Sequence, residues 1–250
     1  MVILGTLGLV YAAVCALMYF AQRSLLYFPT PESAPAGAEM LLLQSASETL
    51  RIWTRPVAGP RALIYFGGNA EDVAGSFASF AAALPGYALY FANYRGYGGS
   101  SGKPTEAALF EDAAALYALV HQTHPQISVL GRSLGSGVAV YLASTRKVER
   151  LVLVTPYDSI VNVARARYPI FPVSLLMRDR FDSVSRLRTV AAKTLVLLAE
   201  HDAAIPRARS VALISAFRPG QAQVDVMPGS EHNTVDDTPA YLQRIAQFLL

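Results

Sequence analysis

The chain has 250 residues, 53% of them hydrophobic and only 16% charged, which suits one α/β domain with a sizeable core and is apolar for a soluble protein. Its net charge of +3 rests on 21 Lys and Arg that form no run longer than a pair and do not interleave with aromatic residues; this excludes a nucleic-acid groove and leaves a weak attraction to anionic lipid headgroups. The lone Cys15 excludes an intrachain disulfide, and four histidines without C-x-x-C or H-E-x-x-H spacing offer no metal site and imply no cofactor.

Part of the apolar excess lies at the N-terminus. No charged side chain occurs before Arg23. As a helix, the run 3–20 spans roughly 27 Å at ~1.5 Å per residue, close to the ~30 Å hydrocarbon core of a bilayer. A cleaved signal peptide is the competing reading, but no Lys or Arg opens the run and no small-x-small site follows it. A lipoprotein would need a small residue before Cys15, where Val14 stands. A buried core helix, the third reading, would not be apolar on every face. We read residues 1–22 as an uncleaved single-span transmembrane anchor. Arg23 at its C-terminal end leans the rest of the chain towards the cytoplasm.

Residues 23–39 read as a linker, with a Pro/Ala/Gly stretch at 28–37, and residues 40–250 as the folded domain. Short strands at 40–44 and 50–54 flank a polar turn and predict a hairpin. A buried strand at 62–66 ends in Gly67-Gly68-Asn69, and a helix follows over 72–84. The strand 87–92 runs into a glycine-dense loop, and Thr105 caps a helix to about 121. A strand from 127 and its helix come next, then a strand at 151–154 and an irregular helical stretch over 159–187. We expect residues 159–190 to form an insertion or cap. A strand at 194–198, a helix at 207–216, a strand at 223–226 and a helix at 239–249 complete the pattern. Strands alternating with helices, most of them apolar throughout, predict a mainly parallel central sheet with helices on both faces.

Gly131-Arg132-Ser133-Leu134-Gly135 joins a strand directly to a helix. Chance would place about 0.1 copies of G-x-S-x-G in a chain this long, and the strand–turn–helix context makes that rarer still. Such a turn exposes the serine hydroxyl, so Ser133 is the candidate nucleophile. A serine needs a base, and the base needs an acid. His232 follows the last strand, at the sheet edge where the Ser133 turn opens. His121 and His124 end a helix at the opposite edge and read as solvent-facing or capping residues; His201 is a loop residue beside a better acid. That acid is Asp202, after strand 194–198. Asp158 is the rival, read instead as a helix N-cap, with Glu200, Asp236 and Asp237 weaker. Oxyanion donors are expected from the backbone N–H of Leu134 and of Asn69. The chain order serine–acid–histidine is that of α/β-hydrolases.

With these positions in that order, the chain resembles the α/β-hydrolase superfamily, and within it the membrane-anchored branch of the Bem46-like proteins and the ABHD13 and ABHD17 serine hydrolases. The matching stretches are YFGGNAED (65–72), NYRGYGGSSGKPTE (93–106), GRSLGSGVA (131–139), TPYDSI (155–160), DRFDSVSRL (179–187), EHDAAIP (200–206) and GSEHN (229–233). One departure stands out: Gly67 occupies a position where such proteins usually carry a histidine that braces the oxyanion loop. The resemblance implies thioesterase or esterase activity and fixes mechanism better than substrate. The expected function is hydrolysis of carboxylic esters or thioesters of lipophilic acyl substrates through an acyl-enzyme. The apolar stretch 168–177 is read either as ordinary packing or as a wall for the acyl chain. A serine peptidase, or a membrane-tethered domain that binds a lipid or partner without chemistry, are the alternatives.

Overall fold

A computed structural model describes residues 2–250. Eight strands form one sheet: β1 (Glu39–Ser45), β2 (Glu48–Arg55), β3 (Arg61–Phe66), β4 (Ala88–Ala92), β5 (Gln126–Arg132), β6 (Arg150–Val154), β7 (Lys193–His201) and β8 (Ala222–Glu231). Their spatial order is β1-β2-β4-β3-β5-β6-β7-β8. The expected hairpin pairs β1 with β2, and β2 lies antiparallel to β4. Every other neighbouring pair is parallel. The expected mainly parallel sheet is therefore what the chain forms.

The central strands are apolar throughout because both faces are covered. Along β3, Ile64 and Phe66 point to one core, and Leu63 and Tyr65 to the other. Strands β6 and β7 alternate likewise, Leu151 and Leu153 against Val152 and Val154, then Val196 and Leu198 against Leu195 and Leu197. The helices are α1 (Val2–Leu26), α2 (Ala74–Ala83), α3 (Glu106–His121), α4 (Leu134–Thr145), α5 (Ile160–Arg167), α6 (Val173–Leu176), α7 (Ser183–Leu187), α8 (Arg207–Ile214) and α9 (Ala240–Leu249). Helices α2 and α9 cover one face through Phe77, Phe80, Tyr241 and Ile245. Helices α3, α4, α7 and α8 cover the other through Leu116, Val138, Leu187 and Leu213. Each such side chain contributes roughly 1.5–3 kcal/mol by leaving water. Thr105 caps α3 as expected, its hydroxyl accepting from the Ala108 N–H at 3.1 Å.

Three boundaries differ from the sequence reading. Helix α1 runs through Arg23 to Leu26, so it takes the first residues assigned to the linker. The stretch 159–187 resolves into α5, α6 and α7; Pro169 and Pro172 lack the N–H needed to join α5 to α6. Strands β7 and β8 are longer than the apolar runs 194–198 and 223–226, because their parallel pairing continues outward past a register shift between Ala199 and His201. His201 thus ends a strand rather than sitting in a loop, and Asp202 and His232 each follow a strand end directly.

Candidate active site

The turn between β5 and α4 is as sharp as the sequence requires. Ser133 has φ +47°, a region that costs a non-glycine residue strain of order 1–3 kcal/mol. The Ser133 N–H donates to Val154 O of the neighbouring strand at 2.9 Å, which holds that backbone in place. Gly131 and Gly135 serve close approach. A Cβ on Gly131 would run into the Gly135 carbonyl, and one on Gly135 into the Phe66 carbonyl at the end of β3. The helix therefore abuts two strands, which draws the loop after β3 against the serine.

The structure brings the three sequence-selected side chains together. His232 Nε2 lies 2.9 Å from Ser133 Oγ, and His232 Nδ1 lies 2.8 Å from Asp202 Oδ2. A proton on Nδ1 satisfies both contacts: Nδ1–H donates to the carboxylate, and Nε2 accepts from the serine hydroxyl. Asp202 is fixed by its other oxygen, which accepts from the N–H groups of Ala204 (3.0 Å) and Ile205 (2.7 Å). The His232 turn is closed by Glu231 N–H donating to Thr234 Oγ1 at 3.0 Å.

Both expected oxyanion donors flank Ser133. A Cβ on Gly68 would lie 3.6 Å from the Ser133 Cβ, so the loop after β3 touches the nucleophile. Among the described residues nothing accepts from the N–H of Asn69 or of Leu134, whereas the Gly68 N–H donates to Glu71 Oε2 at 2.6 Å. The Asn69 side chain is committed elsewhere. Its Nδ2 donates to Leu26 O at the end of α1 (2.6 Å), and its Oδ1 accepts from Phe28 N–H (3.0 Å) and Tyr97 O–H (2.8 Å).

Gly67 leaves no room for the histidine that relatives by resemblance carry there: a Cβ would come within 2.6 Å of Val73 Cγ1. The loop is braced instead by groups the sequence did not single out. Tyr94 O–H donates to Gly67 O at 2.7 Å. Glu71 accepts from Tyr65 O–H at 2.5 Å and from the Gly68 N–H, and lies 3.7 Å from the buried Arg132. Arg132, the variable residue of the G-x-S-x-G turn, also donates to Asp236 Oδ2 (3.0 Å) and to Asn233 O (3.3 Å). One guanidinium therefore ties the oxyanion loop, the nucleophile turn and the His232 loop together. Burial would lower its pKa, but the carboxylates of Glu71 and Asp236 outweigh that and raise it above the ordinary arginine value. Burial likewise pushes the Tyr97 hydroxyl up to about 12, so it remains a neutral donor to Asn69. The only sequence hint of this network was the charge inside an otherwise small-residue motif.

The rival residues are placed elsewhere. Asp158 is buried but is not the N-cap; Ser159 is, its hydroxyl accepting from Asn162 N–H at 3.1 Å. Asp158 instead accepts from Ser159 N–H (2.7 Å), Asn162 Nδ2 (2.8 Å) and Arg209 Nη1 (3.1 Å), because the turn before α5 folds its carboxylate inward onto α8. His124 is buried rather than solvent-facing, with Nδ1 2.8 Å from Gly59 O, since the loop before β3 closes over it. His121 is exposed and stacks on Tyr117. His201 is exposed beside Glu200, and Glu200 accepts from the Gly229 N–H. Asp236 is paired with Arg132 and leaves Asp202 as the carboxylate on His232. Among the described residues no cluster of three metal-binding side chains occurs.

A cavity of about 620 Å³ lies beside the site. Its walls are the last turns of α1 (Leu25, Leu26), the insertion (Val163, Phe171, Leu176) and Ala203, next to Asp202.

Known proteins are similar to this chain in sequence and fold. The α/β hydrolase fold family matches residues 61–172. An uncharacterized protein of Mycobacterium tuberculosis is 33% identical over 99% of this chain and 94% of its own length. The α/β hydrolase domain-containing protein aho-3 of Caenorhabditis elegans is 32% identical over 75% of this chain, which spans 57% of that relative. The human α/β hydrolase domain-containing protein 17B is 28% identical over 75% of this chain and 65% of its own. Among solved structures, the Pyrococcus furiosus esterase Pf2001 superposes with a TM-score of 0.70 at 14% identity, covering 89% of this chain and 96% of that one. From the family match over residues 61–172, its sheet and its α/β hydrolase domain-containing relatives, this chain belongs to the α/β-hydrolase superfamily.

Proposed function

We propose that this protein is a serine hydrolase cleaving carboxylic ester or thioester bonds of lipophilic acyl substrates through an acyl-enzyme. Ser133 Oγ attacks the acyl carbonyl carbon while His232 Nε2 takes its proton, and Asp202 stabilises the imidazolium that forms. The carbonyl oxygen becomes an oxyanion held by the Asn69 and Leu134 N–H groups, the latter at the positive end of α4. His232 then gives its proton to the departing alcohol or thiol, leaving the acyl group on Ser133. In the second half His232 takes a proton from water, the hydroxide attacks the acyl carbon, and the carboxylic acid departs as Ser133 regains its proton.

The observation that carries this reading is the unbroken hydrogen-bond chain Ser133–His232–Asp202, at 2.9 and 2.8 Å, beside two N–H groups with no other acceptor. The apolar cavity beside Asp202 favours an acyl chain over a peptide as the group bound. Helix α1 serves in this reading as a single-span anchor, with the hydrolase domain over 40–250 and a cap over 159–190. Arg23, at the domain end of α1, favours a cytoplasmic domain. A fluorophosphonate probe should label the full-length protein, and p-nitrophenyl acyl esters should be turned over. Both are lost in Ser133→Ala; retained turnover in that variant overturns the assignment, and labelling with no ester or thioester turnover overturns the substrate class.

A further inference from the structure

The insertion does more than roof the cavity. It lies along α1. Tyr11 O–H donates to Ile170 O at 2.8 Å, and the Tyr11 and Phe171 rings stack at 5.9 Å. One helical turn before the end of α1, Gln22 Nε2 donates to Leu176 O at 3.1 Å and Gln22 Oε1 accepts from Arg178 N–H at 2.7 Å. The insertion thus follows the helix from Gln22 back to Tyr11.

That contact has a geometric consequence. The apolar part of α1, Ile3–Leu26, has 24 residues, roughly 36 Å of helix against a hydrocarbon core of ~30 Å. About four residues of slack remain. Wherever the helix is set, Tyr11 then lies roughly 17 Å or more inside the domain-side boundary. A segment bonded to Tyr11 goes to that depth with it. If instead the membrane began beyond Tyr11, too little helix would be left to cross it.

The segment is built for such a place. From Tyr168 to Met177 no side chain is charged, and Ile170 and Leu175 are 73% and 85% exposed. Arg165 and Arg167 precede this stretch, and Arg178 and Arg180 follow it. None of the four pairs with a carboxylate side chain among the described residues. Lipid tolerates irregular backbone only where its polar groups are satisfied internally. Here Pro169 and Pro172 have no N–H to satisfy, the N–H groups of Phe171, Val173, Leu175, Leu176 and Met177 donate to carbonyls within the segment, and among the described residues only those of Ile170 and Ser174 in it find no acceptor.

We propose that residues 168–177 are a second membrane-inserted element, lying along α1 from its domain end to about the bilayer midplane, with the four flanking arginines reaching towards anionic headgroups. The cavity between this element and α1 then faces the leaflet directly. An acyl chain already in the bilayer reaches the Asp202 side of the site without crossing water. The inference rests on α1 spanning the membrane but not on the chemistry at Ser133.

The test is a label of environment-sensitive fluorescence in the full chain, in a Cys15→Ser background, reconstituted in vesicles of three parts phosphatidylcholine to one part phosphatidylglycerol. A nitrobenzoxadiazole on Ile170→Cys should emit as in hydrocarbon, be quenched by lipids with a doxyl group on the acyl chain, and resist aqueous iodide. Phe20→Cys, on the exposed face of α1, is the companion site. A water-like, iodide-quenched label at 170 with a lipid-like label at 20 overturns the inference and leaves the anchor standing. Water-like labels at both positions overturn the two together. Hydrolysis of esters plays no part in the readout, so its loss or presence leaves this result intact.

Discussion

Two regions of the molecule meet at the end of α1, and they are built on opposite principles. The C-terminal edge of the sheet gathers polar and charged groups, half-buries most of them, and gives nearly every one a partner: Arg132 on Glu71 and Asp236, Asn69 on Leu26, Phe28 and Tyr97, His232 between Ser133 and Asp202. The face made by α1 and residues 168–177 is apolar, lies open, and bonds most of the segment's backbone N–H groups within itself. In the proposed reaction the first arrangement fixes dipoles where charge develops during acyl transfer, and stored hydrogen bonds are worth more there than in water. The second gives up side-chain burial inside the protein, which in the proposed arrangement is made good by another apolar medium, the bilayer. Asn69 joins them: its side chain grips the last turn of α1 while its backbone belongs to the loop whose Gly68 lies against Ser133.

The sharpest way to break the catalytic half is Asp202→Asn. The shape is kept, but the amide can donate to Nδ1 and so favours the tautomer with its proton on Nε2, which cannot accept from Ser133. Turnover of short esters should fall by about 10⁴-fold with the melting temperature nearly unchanged. A fall smaller than tenfold would pass the acid role to another carboxylate. Glu71→Ala comes next. It frees the Gly68 N–H and leaves Arg132 with less compensation, so kcat should drop roughly 10²-fold with little change in KM. Restoration by Glu71→Gln, which keeps an acceptor for Gly68, would separate the hydrogen bond from the charge.

Ala164→Trp tests the apolar half alone. It fills the cavity wall, so kcat/KM for long acyl esters should fall about tenfold or more while acetyl esters change less than about twofold, each excluded methylene forfeiting up to ~0.8 kcal/mol. Equal losses for both chain lengths would mean that the cavity does not hold the acyl chain.

The smallest effect concerns the joint between the halves. Tyr97 has its pKa raised by burial to about 12, above the ordinary value of 10.0. A group whose folded pKa is raised stabilises the fold fully below its unfolded pKa, and that contribution is lost as pH rises through the folded value. The melting temperature should therefore decline between pH 10 and 12, with a shallower decline in Tyr97→Phe. Identical slopes would remove Tyr97 from the account.

Much of this was legible in the chain. The G-x-S-x-G turn, the Thr105 cap and the alternation of apolar strands with helices are local patterns, set by φ limits, capping and side-chain periodicity, and they name Ser133 and the sheet without further help. His232 and Asp202 could be chosen because a parallel sheet opens its strand ends on one edge. What the chain could not disclose were contacts between residues distant in sequence whose types are common. Arg132 meets Asp236 across 104 residues, and its place inside the G-x-S-x-G turn marks it as unusual without naming its partners. Asp158 looked like a cap because its neighbours fit one, and only packing against α8 turned it inward. His124 looked exposed because a polar residue at a helix end usually is, until the loop before β3 covered it.

The sequence by itself determined the strained G-x-S-x-G turn at one strand end and the presence of a long apolar helix, because both follow from short-range sterics and hydrophobic patterning. Tertiary structure alone decided that the helix, the 168–177 segment and the oxyanion loop are neighbours. That decision lies in long-range hydrogen bonds such as Tyr11 to Ile170 and Asn69 to Leu26, whose partners carry no mark of each other until the chain has folded.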